Sequence, residues 1–138
     1  MNVRDVMTKN PLTASPSDNL QAVAKIMRDE DTGVVPIVDK GKLIGIVTDR
    51  DIVIRCVADG KFDAKALDAS SDDVVTVTAD MSIADAAELM AEHQIRRLPV
   101  VEADRLIGIV SLGDIAVKEG KDKRTGDTLE DISQGVKH

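Results

Sequence analysis

The chain has 138 residues and a formal net charge of −7, and its 43% hydrophobic content comes almost wholly from aliphatic side chains. Phe62 is the only aromatic residue, so the chain lacks stacking platforms for nucleic-acid bases, and its acidity opposes binding to a phosphate backbone or an anionic membrane surface. The single cysteine, Cys56, excludes an intrachain disulfide, and no apolar run approaches the ~18 residues of a transmembrane helix. These features predict a cytoplasmic protein with no nucleic-acid or membrane partner.

The first predicted elements are a short amphipathic piece at residues 3–8, a brief extended segment at residues 12–14 and an amphipathic helix at about residues 18–30. The residues that recur at helical spacing and predict the buried face of this helix are Leu20, Val23, Ala24 and Met27. Gly33 is predicted to end the helix.

A hairpin follows this helix. The β-branched run at residues 34–38 predicts a strand covered on both faces, residues 39–42 supply the turn, and residues 43–47 form the second strand. Gly45, inside that second strand, indicates a place where another backbone or a ligand comes close. Beyond it, residues 48–60 return to a helical pattern.

The same order of elements returns 63 residues later in the chain. The matching pairs include Met27 with Met90, Pro36 with Pro99 and Gly45 with Gly108. No insertion is needed between Pro11 and Ile52 to keep this register, so the match predicts an internal duplication. Each half alone would expose the apolar faces of its strands. We therefore expect an α+β fold of two tandem βαββα repeats, packed as a pseudo-two-fold pair.

The duplication divides the chain into a first repeat at residues 1–60 with the N-terminal helical segment, a linker at 61–73, a second repeat at 74–118 and a polar tail at 119–138. Residues 64–67 of the linker can form a helical turn. The tail is either a frayed end or, through Leu129 and Ile132, a short docking helix.

Each repeat contains a hydroxyl residue that follows a strand and precedes an aspartate by three positions. The two pairs are Thr48 with Asp51 and Ser111 with Asp114. This spacing is typical of a capping box at the start of a helix. A helix start also offers N–H groups and partial positive charge to an anion. The residues alone leave both a helix cap and a ligand site open.

The doubled pattern of Thr, helix, Pro-Ile-Val-Asp and Leu-Ile-Gly-Ile-Val-Thr-x-x-Asp-Ile resembles the cystathionine β-synthase (CBS) domain, two of which form a CBS pair or Bateman module. The resemblance covers roughly residues 3–118, and the run at residues 48–54 is similar to members described as hypoxia- or stress-response proteins. It implies a stand-alone sensor that regulates an unidentified protein and forms a flat, disc-like homodimer.

The resemblance also implies a ligand. Family members commonly bind AMP, ADP, ATP or S-adenosylmethionine in clefts between the repeats, with adenine against the opening strand of the opposite repeat, here residues 12–14 or 75–77. At the matching positions the aspartate accepts hydrogen bonds from the ribose hydroxyls, and Thr or Ser contacts the phosphate. The ligand residues implied in this way are Thr48 and Asp51 for one cleft and Ser111 and Asp114 for the other.

Basic residues before the strand that follows the helix can reach the phosphate in adenylate-binding members. These positions hold Arg96 and Arg97 in the second repeat but Gly33 and Val34 in the first. The two clefts should therefore differ, and the first must find its positive charge elsewhere, with Arg50 as the candidate. Neighbouring strand residues point to opposite faces, so one of the two arginines should face the cleft, and Arg97 is the preferred one. A guanidinium suits phosphate because it makes two parallel, charge-assisted hydrogen bonds.

Neither a catalytic site nor a metal site is expected. His93 is the only histidine within the repeats, Glu30 stands at its matching position, and no nucleophile with a general base is evident. Metal-ligand spacings such as Cys-x-x-Cys are missing too. The competing hypothesis is a ligand-free interaction scaffold whose Thr/Ser-x-x-Asp motifs are only helix caps. A metal sensor is a third.

Overall fold

A computed structural model describes residues 1–71 and 73–118, and the predicted tail with Leu129 and Ile132 lies outside the described residues. The elements in chain order are α1 (Val3–Val6), β1 (Thr8–Lys9), α2 (Leu20–Glu30), β2 (Val34–Asp39), β3 (Lys42–Thr48), α3 (Asp49–Asp51), a π-helical segment (Ile52–Val57), α4 (Ala66–Ala69), α5 (Ile83–His93), β4 (Arg97–Glu102), β5 (Arg105–Ser111) and α6 (Leu112–Lys118). Within the described ranges, no helix has the length and apolar character needed to span a bilayer.

The chain forms two compact units. The first-repeat unit comprises residues 12–71, 73–74 and 104–106, and the second-repeat unit comprises residues 1–11, 75–103 and 107–118. The predicted segments are therefore combined differently in space. The N-terminal residues join the unit of the second repeat, whereas the predicted linker joins the unit of the first.

Burial and hydrogen bonding explain this exchange of segments. In the second-repeat unit, the N–H of Val3 donates to the carbonyl of Met81 at 2.8 Å, and Val3 is fully buried. In the first-repeat unit, the N–H of Ala66 donates to the carbonyl of Asp18 at 2.7 Å, and Ala66 is fully buried as well. Val3 and Ala66 are 63 residues apart in the sequence, and so are their partners Met81 and Asp18. The duplication therefore extends to α1 and α4.

The first-repeat unit is built on the predicted hairpin. Strands β2 and β3 pair in antiparallel fashion from Val34 opposite Thr48 to Asp39 opposite Lys42. Lys40 and Gly41 at the turn have positive φ angles of 54° and 84°, as the twist of a two-residue hairpin turn requires. The core of this unit consists of Ala14, Val23, Val35, Ile37, Val47, Cys56, Ala66 and Ala69.

The second-repeat unit repeats this plan with its own strands. Strand β5 pairs with β4 and, in antiparallel fashion, with the short β1. Val77 forms a parallel bridge with Val100, as Ala14 does with Ile37 in the other unit. Helix α5 supplies four buried residues to the core, which are Ile83, Ala86, Ala87 and Met90.

Three local predictions need correction or refinement. Helix α2 ends at Glu30, as predicted, but the residue that terminates it is Asp31, with a left-handed φ of 51°, and not Gly33, because the N–H of Thr32 bonds the carbonyl of Met27 and closes the last turn. Ala24 is exposed, so the buried face of α2 is narrower than predicted. The helix predicted after Thr48 widens into a π-helix at Ile52–Val57, a form often found near functional sites.

The close approach predicted at Gly45 is confirmed. A Cβ atom added to Gly45 would lie 3.3 Å from the backbone carbonyl oxygen of Ser71. At the matching Gly108, an added Cβ would lie 2.9 Å from the carbonyl oxygen of Thr8. In each unit a neighbouring segment therefore crosses the second hairpin strand at its glycine, and both strands end three residues later at a hydroxyl residue.

Candidate functional site

The first-repeat corner is the turn from β3 into α3, at Thr48 to Asp51. Oγ1 of Thr48 accepts a hydrogen bond from the N–H of Asp51 at 3.0 Å, and Oδ2 of Asp51 accepts one from the N–H of Thr48 at 3.0 Å. This reciprocal pair is a complete capping box. Helix capping thus explains the hydrogen bonds of both the Thr48 and the Asp51 side chain without a ligand.

The Asp51 carboxylate also has a cationic neighbour. Its Oδ1 lies 3.7 Å from Nε of Arg55, one helical turn further on, and the Asp51 side chain is only 18% exposed. Both carboxylate oxygens therefore face groups of the same helix. A ribose bound at this corner would therefore have to share the carboxylate with these groups.

The second-repeat corner is the turn from β5 into α6, at Ser111 to Asp114. Oγ of Ser111 accepts a hydrogen bond from the N–H of Asp114 at 3.0 Å, so the cap at this end of the motif is retained. The Asp114 carboxylate is half-buried, and it accepts no hydrogen bond from another residue in the described part of the chain. Half of the capping box is missing here, and the carboxylate is left available.

Arg96 and Arg97 are held beside the second-repeat corner by the backbone. The carbonyl of Arg96 accepts a hydrogen bond from the N–H of Leu112 at 2.8 Å, which ties the start of β4 to the start of α6. Both arginine side chains are exposed, and across residues 1–71 and 73–118 neither forms an ion pair. The structure therefore holds the Arg96 backbone at the corner that has the available carboxylate, and Arg97 is the next residue, at the start of β4.

The equivalent backbone bond in the first-repeat unit runs from the N–H of Asp49 to the carbonyl of Gly33, at 2.9 Å. The backbone bond is thus the same, but it joins an acidic residue to a glycine in the first-repeat unit and an apolar residue to an arginine in the second. Asp49 stands where Leu112 stands in the other unit, and Gly33 where Arg96 stands. The spacing of the motif does not reveal a role for Asp49; its contact with Gly33 appears only in the fold.

The arrangement at the second-repeat corner suits a ligand with hydroxyl groups and an anionic group. A carboxylate such as that of Asp114 accepts hydrogen bonds from vicinal hydroxyls, and guanidinium groups bind phosphate through charge-assisted pairs. In the described ranges, no group of three or more His, Cys, Asp or Glu side chains could hold a metal ion. The chemistry on offer at this corner is therefore polar recognition.

A family model described as "CBS domain" matches the chain twice, at residues 3–57 and 65–118. The chain belongs to the CBS-domain family. Its α+β repeats confirm the predicted fold class, and the two matched ranges correspond to the internal duplication.

One curated relative, the CBS domain-containing protein YhcV of Bacillus subtilis (strain 168), is 41% identical over 132 residues, which cover 95% of this chain and 94% of the relative. Among solved structures, that of Hypoxic Response Protein I with two coordinated zinc ions aligns with a TM-score of 0.77 and 38% identity, covering 85% of this chain and 98% of that one. The predicted similarity to hypoxia-response members is therefore confirmed.

Two further CBS structures contain ligands with an adenosine group. CBSX2 in complex with AMP aligns with a TM-score of 0.77 and 25% identity, covering 88% of this chain and 98% of that one. The CBS domain pair of protein MJ0100, in complex with 5-methylthioadenosine and S-adenosyl-L-methionine, has the same TM-score and coverage with 32% identity. CBS pairs of this fold thus bind adenine-containing molecules.

Proposed function

We propose that this CBS pair is a regulatory module, not an enzyme, and that it binds an adenine nucleotide of the AMP or ADP type at the second-repeat corner. The observation that carries this proposal is the Asp114 carboxylate, which accepts no hydrogen bond from another residue in the described chain. The Asp114 side chain is partly exposed and therefore open to a ligand, and the backbone bond from Leu112 to Arg96 holds the pair of arginines at the start of the same helix. Neither arginine forms an ion pair among the described residues.

Each residue has a distinct role in this proposal. Asp114 accepts hydrogen bonds from the ribose hydroxyls, and Ser111 contacts the phosphate. Arg97, with Arg96 as its neighbour, binds the phosphate through its guanidinium, whose planar fork makes two parallel hydrogen bonds. The AMP and S-adenosylmethionine complexes of the related CBS structures support this class of ligand, with S-adenosylmethionine as the second candidate.

A ligand-free role is the second candidate function, and the first-repeat corner favours it. Thr48 and Asp51 satisfy each other in a complete capping box, and Arg55 approaches the same carboxylate. Their assignment as ligand residues stays a prediction. If the second-repeat corner also remains empty in solution, the protein is an interaction scaffold whose two motifs start helices.

Calorimetric titration with AMP, ADP, ATP, S-adenosylmethionine and NAD tests the proposal. We expect AMP or ADP to bind, and the double variant Arg96→Ala/Arg97→Ala to lose at least tenfold in affinity because charge-assisted hydrogen bonds to phosphate are removed. Arg28→Ala is the matched control, since Arg28 is exposed and its one ion pair within the described residues is with its neighbour Asp29. The absence of both heat and thermal shift with all five compounds would leave the scaffold as the function.

Ligand binding regulates by favouring one of two pre-existing arrangements of the protein, which an unidentified partner then recognises. We further propose a cytoplasmic homodimer, as the family resemblance implies. Three exposed apolar side chains on the helix after Thr48 support self-association: Val53 is 54% exposed, Ile54 52% and Val57 47%. Light scattering should report a dimer for the native chain and a monomer for Ile54→Asp; a native monomer would contradict the dimer.

A further inference from the structure

Asp49 follows Thr48 at the first-repeat corner and stands at the position of Leu112 in the second-repeat unit. Its N–H is bonded to the Gly33 carbonyl at 2.9 Å, as the Leu112 N–H is bonded to the Arg96 carbonyl at 2.8 Å in the other unit. The two backbones are therefore equivalent at this point, and the side chains can be compared position by position.

The Asp49 carboxylate is held over Gly33. A Cβ atom added to Gly33 would lie 2.9 Å from Oδ2 of Asp49 and 3.1 Å from its Oδ1. Oδ1 also accepts a hydrogen bond from the N–H of Arg50 at 2.8 Å. The carboxylate is thus fixed at the start of the helix, over the residue that takes the position of Arg96.

The charges near the two corners consequently differ. At the second-repeat corner Leu112 is apolar and buried, with 6% exposure, and the Arg96 carbonyl that bonds its N–H belongs to the first of two successive arginines. At the first-repeat corner Asp49 adds a second carboxylate to that of Asp51, whose Oδ1 lies 3.7 Å from Nε of Arg55. The Arg50 side chain is exposed and forms no ion pair among residues 1–71 and 73–118.

We propose that Asp49 is a specificity-determining residue that excludes phosphate-bearing nucleotides from the first-repeat corner, so that the chain binds a single anionic nucleotide. A fixed carboxylate repels a phosphate group placed next to it, and such a repulsive charge can discriminate between ligands as an added contact does. The inference rests on the proposed function of the second-repeat corner, and it concerns the first-repeat corner, to which that function assigns no ligand.

The test is the stoichiometry of AMP binding by calorimetry, measured on the full chain. We expect one AMP per chain for the native protein and two for Asp49→Asn, which removes the charge while its side-chain oxygen can still accept from the Arg50 N–H. Asp49→Glu is the matched control, because it keeps the charge and should still bind one AMP. Circular dichroism verifies that each variant is folded.

A double variant assigns the second event to the first-repeat corner. Asp114→Asn should lose at least tenfold in AMP affinity, and Asp49→Asn/Asp114→Asn should regain one binding event. Two AMP molecules per native chain, or one per chain in Asp49→Asn, would overturn the inference while leaving the proposed function intact. No AMP binding by the native chain or by Asp49→Asn would remove the proposed function and this inference together.

Discussion

The two strand-to-helix corners carry the same hydroxyl and carboxylate three residues apart, yet they use the carboxylate differently. At the first-repeat corner, Asp51 bonds the N–H of Thr48 and faces Arg55. At the second, Asp114 has no such bond within the described chain, although Ser111 still caps its N–H. A motif repeated in sequence can therefore serve as a helix cap in one copy and leave a carboxylate available in the other.

The two corners also differ in packing at the residue that follows the hydroxyl residue. Leu112 is buried at 6% exposure and contributes to the core of the second-repeat unit. Its counterpart Asp49 is exposed and lies over Gly33. The second-repeat corner thus rests on an apolar side chain and presents arginines, whereas the first presents an acid. After a duplication, substitutions at four matched positions, 33/96, 34/97, 49/112 and 50/113, change the charge of a corner while the backbone bond between its strand and its helix is kept.

The largest effect is expected from transferring the acid between the corners. Leu112→Asp should lower the free energy of unfolding by about 4 kcal/mol, because it places a charge in an apolar core and removes buried side-chain volume. Asp49→Leu, the reverse exchange, should leave stability nearly unchanged at its exposed position. Urea denaturation of both variants measures the difference. Similar losses in the two variants would contradict the packing difference described here.

A smaller effect is expected at the glycines inside the second hairpin strands. Gly108→Ala should cost about 2 kcal/mol, since the added methyl group would meet the backbone carbonyl of Thr8 at 2.9 Å, and backbone cannot easily move aside. Gly45→Ala should cost less, because its closest contact is the Ser70 side-chain oxygen at 3.1 Å. Thermal unfolding compares the pair, and an equal loss would show that the two approaches are equally tight.

The smallest expected difference in stability is between the alanine variants of the two aspartates. Asp51→Ala should lower stability by about 1 kcal/mol, because it removes one half of the capping box. Asp114→Ala should change stability by less than about 0.5 kcal/mol, since its carboxylate makes no hydrogen bond within the described residues. Chemical denaturation at neutral pH measures both. A larger loss for Asp114→Ala would reveal an internal partner of that carboxylate.

Much of the fold could be predicted from the sequence, because the periodic positions of α2, α5 and the two hairpins are local features. The exchange of α1 and α4 between the units could not, since it depends on contacts between residues far apart in the chain, such as Val3 with Met81. The end of α2 near residue 30 is predicted correctly, but the residue that terminates the helix is not, because Asp31 adopts a left-handed φ that a glycine would adopt more readily.

The candidate site was predictable in its residues but not in its asymmetry. The spacing of Thr48 with Asp51 and of Ser111 with Asp114 is visible in the sequence, and so is the difference between Gly33 and Arg96. Whether an aspartate bonds its own cap or leaves its carboxylate available is decided by side-chain geometry that the spacing alone does not determine. The contact of Asp49 with Gly33 likewise depends on the fold and cannot be deduced from the spacing of residues in the sequence.

The most direct test of the account compares AMP affinity in the two aspartate variants by calorimetry. We predict that Asp114→Ala weakens AMP binding by more than ~1.4 kcal/mol, a tenfold change in the dissociation constant, and that Asp51→Ala binds AMP as the native chain does. Unaltered affinity in Asp114→Ala together with a tenfold loss in Asp51→Ala would contradict the account and assign the nucleotide to the first-repeat corner.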